Sequence, residues 1–171
     1  QNSISLETNN TMFKTYTFPS VFEGNNTDLR NVSPDLINGL KLYHNGDGYV
    51  IGNLALTEGV SPHRNINSAP DELDYNLLLK SGMLVANQKL GNPLTISTGF
   101  PFSTFQLYKE TAANLINAQH VVEYDAATYG GGTRKNVQIE IDHVQIIPEV
   151  ISCAIALRKG LHKAEGNFFV M

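Results

Sequence analysis

Apolar and polar positions recur at two different spacings along this chain, and the switches between them mark its elements. In residues 11–22, Phe13, Tyr16 and Phe18 interleave loosely with polar residues, as the two faces of a strand require, before Pro19 turns the chain. Residues 23–42, EGNNTDLRNVSPDLINGLKL, are polar and Asn-rich and read as a surface loop with at most one short turn. From Lys41 to Leu56, apolar residues flank Asn45-Gly46-Asp47-Gly48, which accept positive φ cheaply, so the pattern predicts a hairpin. Residues 57–69 read as loop again.

The period then changes. Leu73, Leu77, Leu78 and Leu84 recur at helical spacing, and Ser68 with Asp71 three residues on predicts a capping box in front of them. Gly82 costs that helix about 1 kcal/mol unless another backbone approaches closely there. NPLTISTGFP predicts a short strand ended by Gly99 and Pro101. Ser103 with Gln106 predicts the cap of a second helix, whose apolar stripe is Phe105, Tyr108, Ala112, Leu115 and Ile116. HVVEYDAAT, the turn YGGGTR and KNVQIEIDHVQII, with Val137, Ile139 and Ile141 alternating, predict a second hairpin. A strand-like run, Val144–Ile147, then passes through Pro148 into a third helix over 148–159. Arg158 and Lys159 complement its dipole and Gly160 ends it. GNFFVM reads as the start of a further strand, and FFVM would be a sticky edge in isolation. The pattern is therefore mixed α/β, and it suggests a piece of a larger protein.

Composition narrows the functions open to such a chain. Its 171 residues are 42% hydrophobic and 16% charged, enough for one domain with a real core. A net charge of −4, with basic residues scattered, gives no footprint for direct nucleic-acid binding. No run approaches the roughly 18 apolar residues that span a bilayer, and QNSISLETNN lacks the regions of a signal peptide. The Asn-x-Ser/Thr triplets at Asn9, Asn25 and Asn31 then read as chance, and the expectation is a cytoplasmic protein with no membrane partner. The single cysteine, Cys153, falls inside an apolar helix pattern and reads as a buried thiol.

Few residues have the spacing that chemistry needs. His44, His63, His120, His143 and His162 form no metal-spaced pair, so no metal site is expected. Ser97-Thr98-Gly99 lacks the glycines of a nucleophile elbow. Gly130-Gly131-Gly132 before Thr133-Arg134-Lys135 lacks the spacing of a phosphate loop and opens a strand, so it reads as a hairpin tip. Asp71, Glu72 and Asp74 complement a helix dipole, and Glu140 with Asp142 reads as a solvent-facing pair. Glu149 stands apart by position. A strand end feeding a helix N-terminus is where phosphates sit in α/β sheets, and a carboxylate there can orient a water toward phosphorus. Pro followed by Glu is equally an ordinary way to begin a helix. The residues alone leave both readings open.

The order of the motifs adds to this. FPSVF (18–22), YVIGNLAL (49–56), LTISTGFPFSTF (94–105), the 128–136 hairpin and VQIIPEVISCAIAL (144–157) follow one another as in the first large domain of actin-like ATPases. The chain resembles those of the ParM/StbA plasmid-segregation type and their archaeal relatives over residues 13–170. The resemblance implies a ribonuclease-H-like, actin-type fold, a mixed β-sheet with flanking helices, with residues 1–171 as the first domain of a two-domain protein. It implies a filament-forming ATPase that binds ATP and Mg with its second half, self-associates, and reaches DNA only through an adaptor. It places Glu149 where the family holds the residue positioning the hydrolytic water. Gly99 and Pro101, with Phe100, fall on a loop near the cleft. Gly52, Asn53 and Ala55 match a Gly-x-x-Ala signature with structural duties.

The family's first phosphate loop, Asp-x-Gly-x-x-x-x-Lys, fits SLETNNTMFK only with Glu7 for Asp and Asn9 for Gly, leaving Lys14 in place. Losing the glycine keeps backbone away from phosphate. The better alignment makes MFKTYTFPS a return strand and puts that loop before Gln1, with the second phosphate loop after Met171. Two classes of function follow: half of an ATPase whose Glu149 acts with the other half, or a non-catalytic adaptor or polymer-contact module on the same fold. Sugar kinases of the same superfold are a weaker third.

Overall fold

The computed structural model of the chain describes residues 2–6, 9–29, 31–64, 68–151 and 154. Strands β1 (Asn2–Leu6) and β2 (Asn9–Phe13) pair antiparallel in a two-stranded sheet. The return strand thus stops at Phe13, and among the described residues Lys14–Val21 joins no strand before β3 (Phe22–Gly24). Strands β4 (Lys41–His44) and β5 (Asp47–Ile51) form the hairpin that Asn45-Gly46 predicted, with both residues at positive φ.

That hairpin ends sooner than its apolar pattern suggested. Gly52 takes φ 63°, and the chain turns into α1 (Asn53–Glu58) instead of continuing as strand to Leu56. A Cβ at Gly52 would meet Phe18 at 3.2 Å, and Ala55 is wholly buried beside Val50 and Leu54. The Gly-x-x-Ala spacing is therefore a packing device, a close turn followed by a small apolar contact.

Helix α2 (Leu73–Leu90) supplies one side of the main core. Leu77, Met83, Leu84 and Val85 pack with Leu42 and Ile51 of the hairpin, and with Leu36 and Leu40, which the polar 23–42 loop carries inward. Each such fully buried leucine is worth about 1.5–3 kcal/mol. The Ser68–Asp71 capping box does not form. The helix starts at Leu73 without a side-chain cap, and the Ser68 hydroxyl donates instead to the buried carboxylate of Asp74. Asp74, read as dipole complementation, sits in the first turn and anchors Ser68 as well. Among the described residues, and apart from the helix's own backbone, no atom lies within 4 Å of a Cβ built at Gly82, so close approach of another described segment does not explain that glycine.

Strand β6 (Leu94–Phe100) leads into α3 (Phe102–Ile116), then β7 (His120–Asp125), a 3-10 turn at Ala126–Tyr129, β8 (Arg134–Ile139) and β9 (Ile141–Pro148). Strands β3, β5, β4, β7 and β8 make an antiparallel five-stranded sheet in that order, whereas β6 and β9 pair parallel in a separate sheet. KNVQIEIDHVQII is thus two strands in two sheets, and not one hairpin arm. Asn92 makes the break. Its side-chain carbonyl accepts from Glu140 N at 3.1 Å, its amide donates to Gln138 O at 2.8 Å, and Leu94 N bonds Glu140 O at 2.8 Å. Glu140, at the break, and Asp142, in β9, are both exposed as expected.

The stripe of α3 buries Ala112 and Ile116, while its Ser103–Gln106 capping box is likewise absent. Phe105 N and Thr104 N bond Pro101 O at 2.9 and 3.0 Å, so a proline carbonyl starts the helix. His120 is buried, its ring bonded to Ile116 O at 2.9 Å. Backbone is helical from Glu149 to Ile151. Glu7, Cys153, His162 and FFVM lie outside the described residues. Among the described residues no helix is long and apolar enough to cross a membrane.

Candidate functional site at the carboxyl ends of two parallel strands

Because β6 and β9 run parallel, their carboxyl ends open on the same side of the molecule. The register sets Gly99 beside Ile147 and Phe100 beside Pro148, so the next residues, Pro101 and Glu149, leave the sheet together. Each begins a helical segment, and such strand ends are where ligands bind in open α/β sheets. A cleft of about 710 Å³ opens here, and Glu149, Gly99 and Pro101 all line it. Glu149 is exposed, and among the described residues no ion pair holds it.

Gly99 explains how Glu149 comes so close to the strand. A Cβ there would lie 3.1 Å from Glu149 Cγ and 3.1 Å from Ile147 O. The bare backbone leaves the space that the Glu149 side chain crosses. One wall of the cleft is aromatic. Phe100 is buried between Tyr75 of α2, whose ring stacks on it at 5.7 Å and 18°, and Tyr108 of α3, tilted at 5.7 Å. Burial pushes the Tyr75 hydroxyl above its ordinary pKa, and the neighbouring Thr98 side chain partly opposes that rise. The pair falls outside hydrogen-bond geometry, and Tyr75 Oη has no hydrogen-bond partner among the described residues.

The polar wall includes Ser20, Arg64, Ser68 and Thr98, with Ser103 and Thr104 from the first turn of α3. One guanidinium, one carboxylate and several hydroxyls suit a ligand rich in oxygen acceptors. Among the described residues no group of three or more His, Cys, Asp or Glu could cage a metal ion.

Ser20 lies in the FPSVF motif, but no spacing marked it as a cleft residue. Arg64 and Tyr75 carried no signal: Arg64 lies within the patternless loop 57–69, and Tyr75 falls between the leucines of a helix stripe. Gly130–Gly132 does not line the cleft. It joins the 3-10 turn to β8 with Gly130 at φ 73°, a strand connection as expected. Of the residues considered for a first phosphate loop, Asn9 opens β2 and Lys14 is exposed beyond its end.

The fold has counterparts among known structures. An archaeal actin homologue, Ta0583, superposes with a TM-score of 0.59 at 17% identity, over 83% of this chain and 41% of that one. Ta0583 in complex with ADP matches with a TM-score of 0.56 at 17% identity, over 83% and 39%. ParM from Bacillus thuringiensis in apo form gives 0.56 at 18% identity, over 84% and 42%. Apo psk41 ParM gives 0.56 at 16%, over 82% and 45%. The chain therefore spans less than half the length of each. No curated protein matches it in sequence. Residues 4–151 match the family of actin-like protein N-terminal domains, and the chain belongs to that family.

Proposed function

We propose that this chain is the first half of an actin-like, filament-forming ATPase that serves plasmid or DNA segregation. The observation carrying this reading is the convergence of Glu149, Gly99 and Pro101 on one cleft at the carboxyl ends of β6 and β9. Glu149 accepts a hydrogen bond from a water and turns its oxygen toward the terminal phosphorus. Gly99 gives the carboxylate room, and Pro101 fixes where α3 leaves the cleft. ATP with Mg supplies the scissile phosphoanhydride when bound. Arg64 and the cleft hydroxyls suit its phosphate oxygens, and the phosphate loops and adenosine pocket come from the remainder of a two-domain protein. The ADP complex of Ta0583, a fold relative, supports a nucleotide as the ligand.

In this reading the protein self-associates into filaments in the cytoplasm and reaches DNA through an adaptor, in keeping with its net charge of −4. A non-catalytic polymer-contact module is the second reading. It is favoured by the alternative alignment on SLETNNTMFK, in which Asn9, the first residue of β2, stands where the family's phosphate loop has glycine.

Glu149→Ala in the full-length protein separates them. Phosphate production from Mg·ATP is expected to fall about 100-fold, with ATP-driven assembly by light scattering retained. Loss of folding together with turnover would make Glu149 a structural residue. A folded wild-type protein without turnover would select the non-catalytic module.

A further inference from the structure

The Tyr75 ring is accounted for by its stack on Phe100, and phenylalanine would serve that contact equally well. Its hydroxyl is not. The oxygen is buried on a cleft wall with no hydrogen-bond partner among the described residues, an arrangement that by itself costs stability. Buried donors left unmade cluster where a ligand supplies the acceptor. The same cleft is lined by Arg64, which makes no ion pair among the described residues. A hydroxyl donor and a guanidinium on one cleft together select an oxyanion.

We propose that Tyr75 and Arg64 form a binding subsite for the oxygens of a terminal phosphate, on the cleft wall made by α2 and the segment that precedes it. The inference rests on the nucleotide reading above for the identity of that phosphate. It assigns recognition of the terminal group to residues outside the phosphate loops. Tyr75 donates to one phosphoryl oxygen and Arg64 neutralises charge, while Glu149 faces the attacking water.

Tyr75→Phe and Arg64→Gln in the full-length protein test it, by thermal unfolding without ligand and by titration with Mg·ATP, Mg·ADP and orthophosphate. Without ligand, Tyr75→Phe is expected to melt at the wild-type temperature or higher. Affinity for Mg·ATP should fall about tenfold in each variant, as loss of a hydrogen bond to a charged group implies, with Mg·ADP affinity unchanged. A Tyr75→Phe protein that melts several degrees lower without ligand has lost a structural bond, and that overturns the subsite. Wild-type Mg·ATP affinity in Tyr75→Phe overturns it equally. If the wild-type protein binds neither nucleotide, it is the nucleotide reading that fails. The subsite is then decided by orthophosphate: stabilisation of the wild type that Tyr75→Phe loses supports it, and no stabilisation of the wild type overturns it.

Discussion

Glu149 carries its side chain across the bare backbone of Gly99, a relationship made by the parallel register of β6 and β9 and by the absence of a single methyl group. A Cβ at Gly99 would stand 3.1 Å from Glu149 Cγ and 3.1 Å from Ile147 O. The carbonyl belongs to a paired strand and yields little, so the Glu149 side chain is the part that moves. Gly99→Ala should therefore displace the carboxylate and, through the contact with Ile147 O that remains, cost about 1–3 kcal/mol of stability. On the proposed function, turnover is expected to drop on the order of tenfold while Mg·ATP affinity holds, because misplacing the group proposed to orient water would act on the chemical step. Steady-state phosphate release with nucleotide titration checks this. Unchanged turnover at wild-type stability would separate Glu149 from the chemistry.

Gly82 gives a prediction of opposite sign. It is an exposed residue inside α2, and among the described residues outside its own helix nothing lies within 4 Å of the position its Cβ would occupy. A helical glycine with free space around it carries the backbone-entropy cost and none of the packing benefit. Gly82→Ala should stabilise the protein by about 0.5–1 kcal/mol, read as a higher urea midpoint at unchanged slope. A destabilised variant would mean that another backbone does approach Gly82.

Much of this architecture was legible because local chemistry and the fold agree. Asn45-Gly46 needs positive φ and gets it, and the Ala112–Ile116 stripe points where helical spacing sends it. The position of Glu149 at a strand end followed from the apolar run Val144–Ile147 passing through Pro148, and the place of Gly99 and Pro101 near the cleft was implied by the family resemblance. What failed to show were features decided by groups far apart in sequence. The alternation of Val137, Ile139 and Ile141 runs unbroken through Glu140 because strands on both sides share the period of two. The break is imposed by Asn92, 48 residues away. Ser68 and Ser103 have the spacing of caps, yet a buried carboxylate takes the Ser68 hydroxyl and Pro101 starts α3 through its carbonyl. Arg64 leaves no periodic trace because a cleft lining from a loop needs none.

Alkaline stability offers a test that is independent of ligand. Tyr129 closes the 3-10 turn after β7 and packs against the main core, where burial, and then the adjoining Tyr124, push its pKa to about 12. Its unfolded value is near 10, so between pH 10 and about 12 the unfolded chain releases a proton that the folded one keeps. Stability tied to Tyr129 is therefore full below pH 10 and is lost as pH rises through that window. Lys41 acts in the other direction. Burial lowers its pKa from 10.5, the unfolded chain holds more protons below that value, and its contribution rises with pH. Tyr129→Phe isolates the tyrosine, since Lys41 is common to both proteins and cancels in the difference. The wild type should lose more stability than Tyr129→Phe between pH 10 and about 12, measured as urea midpoints at matched pH. Parallel losses would place the Tyr129 hydroxyl in an environment as open to water folded as unfolded.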